Sequence, residues 1–318
     1  MMRRIDGDVI ILGATGKLGI SLTALAVNAV RESGVSRTVY GVSRFTDSSA
    51  WKKLEACGAV PILADLLDPS AVAALPRARN VMFLAGRKFG TEGGEPLTWA
   101  MNTIAPSFVA EHFRDSRIVA FSTGCVYPLR GIHEGGCYET VAPEPIGEYA
   151  QSCLGRERVL EYYARKNGTK LLLFRLNYAN DLRYGVLHDI GNAVWKGQAI
   201  NNSVGHFNVI WQGDANNIAL LTLELAEIPS AVLNVTGLET VSVEETALEM
   251  GRIMGREVRF TGEPGDLCYL SDASKMARIF GRPRVSLDEM IRLQAKWIMA
   301  GGTSIGKPTH FEVNNGKF

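Results

Sequence analysis

Three glycines, Gly13, Gly16 and Gly19 in VIILGATGKLG, follow a short apolar run at three-residue spacing. Glycines so placed act through their backbone. The first permits a tight turn, the second lets main-chain N–H groups approach a pyrophosphate, and the third lets a following helix pack closely on the preceding strand. Thr15, Lys17 and Leu18 lie in the same loop, and the N-terminus of the following helix would face the phosphates. A turn-forming set without a ligand is the plainer alternative. Roughly twenty residues past such glycines, a site for NAD offers a carboxylate to the adenosine ribose. Here TVYGV ends in Ser43-Arg44 instead. A guanidinium and a hydroxyl suit a 2′-phosphate, so NADP is the expected cofactor and NAD the alternative. An ordinary surface arginine would read the same way. Asp65 and Leu66 in ADLLD fall where the adenine ring would lie. Ala85 and Gly86 in LAGRK are small enough to let a cofactor pass close to the backbone.

These residues must be held by strand ends and helix starts, and the pattern around them supplies both. DVIIL (8–12), TVYGV (38–42), VPILA (60–64), NVMFLA (80–85) and RIVAFS (117–122) are nearly continuous apolar runs. They read as strands covered on both faces. Helical segments at 17–33, 48–57, 69–75 and 97–114 separate them, and helix 149–166 and strand KLLLFRL (170–176) continue the rhythm. Strand and helix in alternation predict a Rossmann-type, doubly wound parallel α/β sheet. The expected dinucleotide-binding domain is 1–176. Residues 177–318 are expected to form mainly a smaller mixed substrate-binding lobe, interleaved with the last sheet strands. There VSVEETALEMGRIMG carries a Ser/Glu capping box, EVRFTG reads as a short strand and SLDEMIRLQAKWIMAG as a closing helix. The Gly- and Asn-rich tail from GGTSIG onward is expected to be loose unless it docks.

The 318 residues carry a net charge of +1 and are 46% apolar. That balance gives no signal for nucleic acid or a membrane surface. No stretch approaches the ~20 apolar residues of a membrane span. The 5 cysteines are scattered without a CxxC pair, and the 5 histidines show no metal spacing. Free thiols in a reducing cytoplasm, and no metal, are the expectation.

Taken together, GATGKLG, ADL, FLAG, Asn102 in AMNTIAPSF, FSTGCVYP and EYAQS resemble the extended short-chain dehydrogenase/reductase family, and within it the NAD(P)-dependent sugar epimerase/dehydratase branch. The resemblance covers nearly the whole chain. It implies hydride transfer between nicotinamide and a sugar or sugar-like hydroxyl or carbonyl. It also implies that Thr123, with Ser122 beside it, hydrogen-bonds the substrate oxygen, that Tyr149 donates or accepts the proton, and that Asn102 belongs to the cofactor site. The family's third catalytic position, one helical turn after the tyrosine, is a lysine; here it is Cys153. A neutral thiol is a poor substitute. Arg156, two turns along the same face, and Lys88, after the fourth strand, are the candidate replacement cations, and no replacement at all is the other reading. A protein that binds NADP without turnover, as a sensor or regulator, is the alternative reading. Lys88, Asn177 and Arg183, with Tyr178 and Tyr184 nearby, fall where substrate would be gripped; a solvated loop is the other reading of 177–184. Trp195 and Trp211 read as core. A small-molecule sugar derivative is the expected partner, and the family's habit of pairing through helices leaves a homodimer open, with helix 149–166 contributing.

Overall fold

The computed structural model describes residues 1–88 and 90–316. Lys317 and Phe318, the end of the tail, lie outside the described residues. Seven strands form the central sheet: β1 (Val9–Leu12), β2 (Val39–Ser43), β3 (Val60–Leu63), β4 (Asn80–Phe83), β5 (Arg117–Thr123), β6 (Lys170–Leu176) and β7 (Ala231–Val235). Their spatial order is β7-β6-β5-β4-β1-β2-β3. The pairs β1–β2, β1–β4, β2–β3 and β4–β5 run parallel, with Val9 opposite both Val39 and Asn80. This is the Rossmann-type α/β fold, with the chain reversing direction of travel at β1 and β4.

The apolar runs behave as expected in β1 and β4, where every residue is buried. They do not in β3. Val60 is 44% and Leu63 67% exposed, because β3 ends the sheet. Pro61, lacking an N–H, suits such an edge.

The helices begin where the local chemistry allows. Asp47 caps α2 (Ser48–Cys57) by accepting from the Ser49 N–H, and Asp68 followed by Pro69 starts α3 (Pro69–Ala73). The expected single helix over 97–114 is instead three pieces. These are α4 (Glu95–Trp99), a π-helical turn (Ala100–Ile104) and α5 (Ala105–His112). A π-turn inserts a residue into the helical ladder and re-aims its side chains; Asn102 lies at its centre.

The chain divides into two compact units. The first comprises Met1–Thr123, Glu148–Arg175 and Asn216–Leu233. Its core joins Ile10, Leu12, Phe83 and Ile118 of the sheet to Val109, Phe113 and Leu160 of the covering helices. The second comprises Gly124–Gly147, Leu176–Ala215 and the described residues from Asn234 onward. Its core gathers Leu187, Ile190, Met250, Met290 and Ile298, with Trp195 and Trp211 packed against it. Ser242 and Ser286 each accept from the N–H of a glutamate three residues on, forming the starts of the Val243–Met254 and Leu287–Met299 helices. The tail docks within this unit: Thr309 donates twice to Asp189, and Phe311 joins the core.

Candidate functional site

The loop after β1 makes a turn only glycine adopts easily. Gly13 has φ +93°, and a Cβ there would stand 2.7 Å from the Ala85 nitrogen. Strand ends β1 and β4 thus approach backbone to backbone. A Cβ on Gly19 would meet the Ala14 carbonyl at 2.6 Å, so the third glycine lets α1 (Gly19–Ser33) sit against its own strand. Gly16 differs from both. It is exposed, and a Cβ there would meet only the Gly13 oxygen, at 3.3 Å. Leu18, the residue preceding α1, offers no side-chain cap, and the first turn holds no acidic residue. The Gly19 N–H is taken by the Gly16 carbonyl at 3.0 Å, no side chain caps the helix, and the macrodipole favours an anion at this end. Such a loop fits a pyrophosphate.

At the tip of β2, Ser43 Oγ and Thr15 Oγ1 are 2.5 Å apart, which ties the strand tip to the glycine loop. Arg44 is exposed one residue further on. Asp65 accepts from the Leu67 N–H at 3.0 Å, closing a local turn, and Leu66 is buried beside it. Ala85 is buried and Gly86 exposed; a Cβ on Gly86 would collide with the Arg156 guanidinium.

A second cluster is built on α6 (Gly147–Asn167), which carries Tyr149 in its first turn. Two side chains further along fix this helix to the end of β5. Arg156 Nη1 donates to the Phe121 carbonyl at 2.8 Å, and Ser122 Oγ donates to Glu157 Oε1 at 2.6 Å. Glu157 is closed from behind by a bidentate ion pair with Arg175 of β6, at 2.9 and 2.6 Å. Both members are buried, at 0% and 4% exposure. Thr123, the last residue of β5, is itself 8% exposed.

Asn102 ties this helix to the loop after β4. Its Oδ1 accepts from the Arg87 N–H at 3.0 Å, and its Nδ2 donates to the Arg87 carbonyl at 3.1 Å and to Ser152 Oγ at 2.9 Å. Ser152 Oγ in turn donates to the Tyr149 carbonyl at 2.8 Å. Arg156 Nη2 also donates to Asn102 Oδ1. Cys153 is buried, at 1% exposure. Lys88 places its Nζ 5.7 Å from the centroid of the Tyr149 ring.

The first unit therefore gathers the glycine loop, the Ser43 tip, Gly86, Asn102, Thr123 and Tyr149. The expectation that Arg156 reaches back toward Tyr149 meets a different arrangement, because its guanidinium is bonded to Phe121 and Asn102 and lies over the Phe83 ring. Asn177 and Arg183 fall in the second unit. Asn177 is buried and donates to the Tyr269 carbonyl, and Arg183 pairs with Asp181 at 2.8 Å. Burial raises the Tyr178, Tyr184 and Tyr269 phenols above their ordinary pKa, so all three stay neutral. Sequence reasoning missed Ser152 and the Glu157–Arg175 pair. The available signal was Arg175 itself, a charge inside the apolar run KLLLFRL, which a covered strand does not carry without a partner. Among the described residues no cluster of metal-ligating side chains occurs, no helix is long and apolar enough to cross a membrane, and no disulfide joins the cysteines.

No curated protein sequence matches the chain. Solved structures resemble it in fold. The UDP-glucose 4-epimerase of the hyperthermophilic eubacterium Thermotoga maritima, determined with UDP-glucose, aligns with a TM-score of 0.77 and 19% identity, over 92% of this chain and 99% of that one. The UDP-glucose 4-epimerase of Thermus thermophilus, in complex with NAD, gives 0.74 and 20% over 91% and 98%. DesIV, a dTDP-glucose 4,6-dehydratase from Streptomyces venezuelae with NAD bound, gives 0.78 and 18% over 92% and 97%. At the level of sequence, the NAD dependent epimerase/dehydratase family model matches residues 9–179. That span carries the glycine loop, Asn102, Thr123 and Tyr149, and the chain belongs to the NAD dependent epimerase/dehydratase family.

Proposed function

We propose that this protein is an oxidoreductase of the epimerase/dehydratase type, acting on a hydroxyl or carbonyl of a sugar derivative, with Tyr149 as its proton donor and acceptor. The observation that carries the reading is that an open, uncapped glycine loop occurs in the same unit as a tyrosine whose helix is fixed to the end of β5. Gly13, Thr15, Gly16, Lys17, Leu18 and Gly19 would hold the pyrophosphate. Ser43, Arg44, Asp65 and Leu66 would hold the adenosine, and Ala85, Gly86 and Asn102 would border the nicotinamide half. The dinucleotide, when bound, supplies a reversible two-electron acceptor. The chain's own part is positioning and proton transfer. Thr123 orients the substrate oxygen, and the Tyr149 phenol takes or gives its proton.

The exposed Arg44 and the absence of a carboxylate in Ser43-Arg44 support NADP, whereas the Thermus thermophilus epimerase and DesIV structures contain NAD. Those relatives support a nucleotide sugar as substrate, with Lys88 as the candidate contact in the first unit. Five cysteines without a disulfide support a reducing, cytoplasmic setting.

A second reading, a dinucleotide-binding protein without turnover, is favoured by one observation. Cys153, in the register one turn past Tyr149, is a buried thiol. A panel of UDP- and dTDP-sugars incubated with NAD or NADP and followed by NMR separates the two. We expect conversion of at least one sugar, and a loss of ~10²–10⁴-fold in Tyr149→Phe, the usual range for a positioned acid–base group. Cofactor binding with no conversion across the panel would favour the second reading. Conversion undiminished in Tyr149→Phe would place the proton donor elsewhere.

A further inference from the structure

We propose that Lys88, in the loop after β4, supplies the positive charge that the helix of Tyr149 does not, and so holds the phenol ready to ionise. The proposal rests on the reading of Tyr149 as the proton-transfer group. Two alternatives on α6 itself are accounted for by their surroundings. Cys153 is a buried thiol, a weak donor that is neutral unless activated. Arg156 is a cation, but its guanidinium is bonded to the Phe121 carbonyl and to Asn102. Lys88 arrives from a different element, with its Nζ 5.7 Å from the ring centroid, within the range at which an ammonium interacts with an aromatic face.

This approach is built into the backbone on both sides. The N–H and carbonyl of Arg87, immediately before Lys88, are both bonded to Asn102. The Lys88 carbonyl accepts from Thr91 Oγ1 at 2.7 Å. The same Asn102 amide donates to Ser152 Oγ, which holds the Tyr149 carbonyl. One buried asparagine, on a π-turn, therefore sets the lysine loop and the tyrosine turn in register. A nearby cation favours the phenolate over the phenol. Among the described residues, charged and titratable groups on the elements that carry Tyr149 and Lys88 include Glu148, which Trp99 engages through its indole N–H, Cys153 and Arg156 on α6, and Arg87 in the loop, whose guanidinium donates to the Gly90 carbonyl. Lys88 Nζ itself lies over the ring, 5.7 Å from its centroid.

The test reads the phenol directly. Tyrosine labelled with ¹³C at the ring Cζ is followed by NMR through an alkaline titration, with Tyr149→Phe identifying the signal. In Lys88→Met the Tyr149 pKa should rise by about one unit, a tenfold loss of tyrosinate at any pH below it. Lys88→Arg should stay close to the parent, and Cys153→Lys added to Lys88→Met should bring the titration back down. Circular dichroism confirms that each variant is folded; Lys88→Gln replaces Lys88→Met if that variant is not. An unchanged Tyr149 titration in the folded neutral variant overturns the proposal and leaves the reading of Tyr149 standing. A shifted titration combined with sugar conversion that survives Tyr149→Phe overturns it in the other direction, since the lysine would then tune a phenol the reaction does not use.

Discussion

The glycine loop and the tyrosine corner lie in one unit and are built in two different ways. The loop works by what it leaves out. Gly16 is exposed with no side chain, and the start of α1 has no capping side chain and no acidic residue in its first turn. The corner works by side chains that occupy one another. Asn102 is bonded to Arg87, Ser152 and Arg156; Glu157 is bonded to Ser122 and Arg175. A site made of backbone fails when something is added to it. A site made of a side-chain network fails when something is removed.

The largest expected effect follows from removing the deepest member of the corner. Glu157→Ala leaves the Arg175 guanidinium buried without its carboxylate, and about 3–5 kcal/mol of stability should be lost in urea denaturation. The double variant Glu157→Leu with Arg175→Met should recover much of that loss, since the desolvation of both charges disappears with them. If the single variant is as stable as the parent, the network does not brace the corner. The loop should behave oppositely. Gly16→Val should keep the parental denaturation midpoint while dinucleotide affinity measured by calorimetry falls a hundredfold or more, at least about 2.7 kcal/mol. Retained affinity would show that the space in front of the loop is not where phosphates sit. Arg44→Ala should cost about 1–3 kcal/mol in NADP binding, the scale of a charge-assisted contact, and leave NAD binding unchanged. Equal losses for both cofactors would remove Arg44 as the discriminating residue. The smallest effect belongs to Ser152→Ala. It deletes the hydroxyl between Asn102 and the Tyr149 carbonyl, and about 0.5–1.5 kcal/mol of stability should go with it. No loss there would mean that the first turn of α6 holds its place without that link.

The two regions also differed in how far the sequence made them legible. A glycine's function is local: of the three between a strand and a helix, the tight turn at Gly13 and the close packing at Gly19 have their counterparts in the folded backbone. Strand–helix alternation likewise announced the parallel sheet, because the sheet's covered strands need continuous apolar runs. It did not announce that β3 would be an exposed edge, since which strand ends a sheet depends on the order of strands in space. Periodicity could not reveal the π-turn at Asn102 either, because one inserted residue hardly disturbs an apolar stripe.

What the sequence determined by itself, then, is what acts over a few neighbouring residues: the glycine turn, the helix starts at Asp47, Asp68, Ser242 and Ser286, and the presence of a tyrosine with a cysteine one turn beyond it. Tertiary structure alone decided which charge meets that tyrosine. Arg156 lies nearer to Tyr149 along the chain, yet it serves Phe121 and Asn102, while Lys88, from a loop far earlier in the chain, stands over the ring. The physical reason is that a buried guanidinium is drawn to the acceptors within reach, here the Phe121 carbonyl at the end of β5 and Asn102 on the π-turn. The backbone beside the lysine is held by an asparagine that also reaches Ser152 in α6.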